Sequence, residues 1–144
     1  MDGKLSTYRT IDTLGKSQVD LILQVYDGAI ASFKAAAGHY GAGELQGGYE
    51  QLERSRKFMV HLYTTLDQKT GGEVAANLSK LYTFMICQID AAETTHDSAL
   101  IESNVRVLEN LRAAWVTLRD QNETARKLST EPSAATAGSF TISG

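Results

Sequence analysis

The step Glu93-Thr-Thr-His96 carries the clearest chemical meaning in this chain. Helical bundles hold paired iron or manganese with such a step from each of two helices, plus an inward glutamate from each of the other two. No second step occurs, and the sequence holds three histidines in all, His39, His61 and His96. His96 also falls where a helix should end, so an exposed polar turn is expected there and no metal. Cys87, the single cysteine, lies between Ile86 and Gln88 in a helical stretch. A reactive thiol needs a neighbouring base or an electropositive pocket. Neither is signalled, so a buried or half-buried structural thiol is expected. Gly41-Ala-Gly43 lacks the third glycine and the preceding strand of a phosphate cradle. No Ser-His-Asp or paired-carboxylate pattern stands out. The chain reads as no enzyme, with no catalytic residue and no cofactor.

The elements that would position any site are helices. One proline, Pro132, and no β-branched alternation between turn signals favour an all-α chain. Helix one is expected from Ser17, where Ser17-Gln-Val-Asp20 has the build of a helix start, to Gly38. Its apolar stripe runs Val19, Leu23, Tyr26, Ile30, Phe33, Ala37. Gly28 sits inside this helical run at a cost of about 1 kcal/mol relative to alanine. A close approach by a neighbouring backbone, or a bound partner, is the expected reason. Gly38 to Gly48 carries five glycines and reads as a flexible connection.

Helix two carries Tyr49, Leu52, Met59, Leu62, Tyr63 and Leu66 on one face. Thr70-Gly-Gly-Glu73 reads as a break and a restart, with Thr70 and Glu73 forming a reciprocal capping box. Helix three follows with Val74, Leu78, Leu81, Met85, Ile89 and Ala92. Asp97 is the expected cap of helix four, whose stripe is Ile101, Val105, Leu108, Leu111, Trp115 and Leu118. No such helix buries its stripe alone, so an antiparallel up-and-down four-helix bundle is the minimal solution. The expected organisation is an irregular N-terminal arm over 1–16, docked through Leu5, Tyr8, Ile11 and Leu14; a bundle over 17–128; and a disordered Ser/Thr/Ala/Gly tail over 129–144.

Composition narrows the function classes. The hydrophobic fraction of 42% supports a core in a chain of 144 residues, which suits one domain. No apolar run approaches a membrane span, and Met1-Asp2-Gly3-Lys4 lacks the build of a secretory signal, so a cytoplasmic protein is expected. A formal net charge of -3 argues against a nonspecific grip on nucleic acid. Arg54, Arg56 and Lys57 read as a solvated helix face.

Several segments together resemble one family, the flagellin-specific export chaperones of the bacterial flagellar type III secretion system. They are Tyr8, Val25-Tyr-Asp-Gly-Ala-Ile30, Leu62 to Asp67, Thr70-Gly-Gly-Glu-Val-Ala-Ala-Asn-Leu-Ser-Lys-Leu-Tyr82 and Val107-Leu-Glu-Asn-Leu-Arg-Ala-Ala-Trp115. The resemblance implies a cytosolic helical bundle that binds the C-terminal segment of flagellin, prevents its premature polymerisation and delivers it to the flagellar export gate. Charge and hydropathy leave no nucleic-acid or membrane partner expected, and a co-chaperone or regulator stays open. Candidate partner-binding residues are Tyr8, Ile11, Tyr26, Asp27, Ile30, Leu78, Tyr82 and Trp115. Core packing is the alternative for Tyr26, Ile30, Tyr82 and Trp115, since such stripes normally face a core. The rivals from other classes are a metal-carrying bundle and a self-assembling structural bundle.

Overall fold

The computed structural model describes residues 18–130, and within them everything outside three short connections and the kink at Gly72 is helical. The helices are α1 (Gln18–Gly41), α2 (Leu45–Thr64), α3 (Gln68–Thr95) and α4 (Ser98–Thr130). Each packs mainly on its two neighbours in a ring, α1 on α2, α2 on α3, α3 on α4 and α4 back on α1. Ion pairs fix the direction of the closing seam: Asp20 meets Arg119 and Asp27 meets Arg112, so α1 and α4 run antiparallel. This is the expected four-helix bundle. The arm over 1–16, the cap at Ser17 and all of the tail beyond Thr130 lie outside the described residues. Ser129 and Thr130 still belong to α4.

The stripes predict the core well in α1, where Val19, Leu23, Tyr26, Ile30 and Phe33 are all buried. From α3 the core takes Tyr82, Met85, Ile89 and Ala92, and from α4 Ile101, Val105 and Leu108. Helix α2 departs from expectation. Its inner line is Gly48, Leu52, Ser55, Met59 and Leu62, while Tyr49 and Tyr63 are exposed. Small residues at Gly48 and Ser55 let α1 and α2 approach closely, and Ser55 satisfies its hydroxyl by donating to the Gln51 carbonyl at 3.0 Å.

The glycine-rich connection is a correction. Helix α1 continues through Gly38 to Gly41, and only Ala42 to Glu44 separate it from α2. Gly43, at φ +77°, makes the turn. Gly47 and Gly48 are helical and serve contact. A Cβ on Gly47 would sit 2.6 Å from the His39 ring, and one on Gly48 2.6 Å from the Tyr40 ring. The last turn of α1 therefore lies on the first turn of α2, and these glycines are there for proximity.

The break expected within Thr70-Gly-Gly-Glu73 is there, at Gly72. Gly72 adopts φ 56°, ψ -133° inside α3, a conformation that favours glycine. Upstream of it, Asp67 caps the helix start by accepting from the Lys69 N–H at 3.2 Å. Glu73 is exposed, and the Thr70 side chain lies outside what is described. Asp97 caps α4 as expected, accepting from the Ala99 N–H at 2.9 Å.

Candidate functional site

At the centre of the bundle, three side chains from three helices meet through polar atoms. The Tyr26 and Tyr82 hydroxyls lie 2.6 Å apart, and the Trp115 indole N–H donates to the Tyr26 oxygen at 3.1 Å. Both tyrosines are buried, so each phenol is held neutral. Burial raises Tyr26 above the usual phenol range against the lowering effect of its bonds to Tyr82 and Trp115. Burial also raises Tyr82, reinforced by Tyr26. Two phenol hydrogens and one indole hydrogen converge on two oxygens. One phenol hydrogen occupies the Tyr26–Tyr82 bond, and the other finds no acceptor among the described residues.

These three residues are sequence candidates, and the bundle brings them together as a core cluster. Ile30 is buried beside them, and Leu78 is half-buried against the core. Asp27 faces outward on α1 and takes Arg112 at 2.6 Å. Tyr8 and Ile11 lie outside the described residues. The step Glu93-Thr-Thr-His96 does not converge. Glu93 turns toward Arg56 of α2, while His96 adopts φ 59° and stacks on Tyr40 of α1 with ring centroids 5.2 Å apart. Among the described residues no group of three or more His, Cys, Asp or Glu is placed to hold a metal ion. Cys87 is exposed, against the expectation of burial. Two residues from the core positions Met85 and Ile89, it is rotated by about 200° to the outer face of α3.

Two apolar surfaces stand out among the described residues. The first crosses the α3–α4 seam. Asp90 and Glu93 mark the flank of α3 that faces α2, so the opposite flank faces α4. Along that flank come Val74, Leu78, Leu81 and Phe84. Val107, Leu111 and Leu118 line the facing flank of α4. Leu78, Leu81, Val107 and Leu111 are half-buried, while Val74 is 68%, Phe84 54% and Leu118 40% exposed. The second is a groove of about 490 Å³ on the α1–α2 seam, lined by Leu21, Ile22, Val25, Phe58, His61 and Leu62 among others. Phe58 forms its inner end, because its ring lies on Gly28. A Cβ at Gly28 would be 2.5 Å from the ring tip. The neighbour that requires glycine is thus a side chain. Sequence reasoning missed both Phe58 and Phe84. The first is 30 positions from Gly28 with no local signal; the second sits off the stripe of its own helix.

Known proteins of similar sequence point one way. The family described as Flagellar protein FliS matches residues 1–122. The flagellar secretion chaperone FliS of Salmonella typhimurium is 32% identical over 103 residues, covering 71% of this chain and 76% of that protein. Its counterpart in Vibrio cholerae is 24% identical over 119 residues, covering 80% and 88%. The chaperone FliSB of Pseudomonas aeruginosa is 29% identical over 90 residues, covering 49% and 71%. No described helix is long and apolar enough to cross a membrane. The helical bundle and the match over most of the sequence agree: this chain belongs to the FliS family, a family of flagellar secretion chaperones and not of enzymes.

Proposed function

We propose that the protein binds the C-terminal segment of flagellin in the cytoplasm, prevents its premature polymerisation and hands it to the flagellar export gate. The observation that carries this reading is the apolar strip across the α3–α4 seam. Half-buried Leu78, Leu81, Val107 and Leu111 form its floor, and exposed Val74, Phe84 and Leu118 form its sides. An amphipathic helix lays anchors at i, i+3, i+4 and i+7 into such a trough. A segment that orders only on binding covers a large surface while giving up part of the interaction energy to ordering. That compromise suits a cargo that must later be released.

Tyr26, Tyr82 and Trp115 support the strip from beneath in this reading. They fix α3 and α4 to α1 and so set the spacing of its two flanks. In this reading the N-terminal arm, with Tyr8 and Ile11, takes part in flagellin binding and is displaced or rearranged by it.

Co-purification with flagellin, full-length and without its C-terminal segment, tests the reading. Loss of binding on truncation supports it, and equal binding contradicts it. Phe84→Ser and Leu118→Ser, both on exposed positions, are expected to weaken binding by roughly tenfold or more without unfolding the bundle. Deleting the residues before Leu14 tests the arm. Unchanged flagellin affinity and unchanged amide protection in α1 and α2 would refute its part.

A further inference from the structure

Across the α2–α3 seam, one guanidinium serves three carboxylates. Arg56 donates from Nε to Glu53 at 3.1 Å, and from Nη2 to Asp90 at 2.7 Å and Glu93 at 3.2 Å. Glu93 is the most enclosed of the three, its side chain 17% exposed. Its Oε2 is shut off from water with no donor directed at it among the described residues. The guanidinium of Arg56, bonded to both, holds the carboxyl groups of Glu53 and Glu93 side by side. Two ionised carboxylates in contact repel, whereas one proton between them makes a short, charge-assisted hydrogen bond.

We propose that Glu93 is a proton-operated latch between α2 and α3. With its carboxyl group protonated it donates to the Glu53 carboxylate and closes the seam. When that proton is lost to water, two repelling carboxylates and an unpaired buried oxygen loosen the seam where α3 ends.

The groups that face Glu93 define its charge environment. Glu53 and Arg56 face it from α2 and Asp90 from its own helix. Tyr40 approaches from α1, and His96 stacks on its ring. Burial, then Glu53, lifts Glu93 from 4.5 to about 7, against the pull of Arg56. Its bond to Glu93 lowers Glu53 below 4.5, so Glu53 stays the acceptor. The Glu93 contribution to stability is complete below about pH 4.5 and is lost as pH rises through about 7. The Glu53 contribution has the opposite sign and fades only below its unfolded value of 4.5. Of these two carboxyl groups, only Glu93 changes its contribution between pH 5 and 8.

Thermal unfolding of the full chain from pH 5.5 to 8, for the wild type and Glu93→Gln, tests the latch. The wild-type Tm is expected to fall by about 3–8 °C between pH 6 and 8. Glu93→Gln supplies a permanent N–H donor to Glu53. It should remove most of that slope and equal or exceed the wild type at pH 8. The three histidines remain in both proteins, so the difference between the two slopes isolates Glu93. Equal slopes in the two proteins would overturn the proposal. If the variant fails to fold, carboxyl ¹³C NMR of the wild type decides: a Glu93 midpoint near 7 sustains the latch, and one near 4.5 ends it.

Discussion

The ring of Phe58 lies against Gly28 so closely that an added Cβ would be 2.5 Å from its tip and 2.7 Å from the adjacent ring carbon. Glycine is the residue that admits this contact, and the contact forms the inner end of the α1–α2 groove. Gly28→Ala gains helix propensity of about 1 kcal/mol but must displace a half-buried aromatic ring. A net destabilisation of about 0.5–2 kcal/mol is expected by urea unfolding. In the Phe58→Ala background the same change should stabilise. A stabilised single variant would show that Phe58 moves aside freely.

The phenol pair predicts an asymmetry. Tyr82→Phe removes one hydrogen bond and leaves one hydrogen unsatisfied, as in the wild type. It should cost no more than about 1 kcal/mol. Tyr26→Phe removes the shared oxygen, so the Trp115 N–H and the Tyr82 hydroxyl both lose their partner. It should cost about 2–3 kcal/mol. Equal costs would mean that Trp115 transfers its bond to Tyr82 without penalty.

Glycines separate by what surrounds them. Gly38 has open space where a Cβ would sit, whereas Gly48 has the Tyr40 ring at 2.6 Å. Gly38→Ala should stabilise α1 by about 0.5–1 kcal/mol. Gly48→Ala should destabilise, because Tyr40 would also have to leave its stack with His96. The reverse order in thermal melts would contradict the close packing of the α1–α2 turn.

Asp27 pairs with Arg112 at 2.6 Å, yet both side chains are well exposed. Asp27→Asn should therefore change stability by no more than about 1 kcal/mol, and by nothing measurable in 1 M salt. A larger loss that persists at high salt would indicate a structural role beyond an ion pair.

Four helices and most of their inner faces were legible because apolar residues recur with helical period, above all in α1, α3 and α4. Helix α2 was only half legible. Where glycine and serine line the inner face, close approach replaces apolar bulk and the pattern disappears. The same substitution of contact for flexibility hid the α1–α2 turn, since glycine marks both. The residues later joined as Tyr26, Tyr82 and Trp115 stood out singly. That they share hydrogen bonds is a long-range fact no local spacing contains. Glu93 was noticed for a metal, although its partner is an arginine 37 positions away.

The central cluster also settles an ambiguity that the surface leaves. Asp20 with Arg119 and Asp27 with Arg112 repeat at the same seven-residue interval on both helices. Sliding α4 along α1 by two turns would still match Asp27 to Arg119, so charge alone tolerates more than one alignment. The indole of Trp115 reaches the oxygen of Tyr26 in just one of them. A single buried triplet, present once along the rods, thus gives the assembly its unique vernier setting.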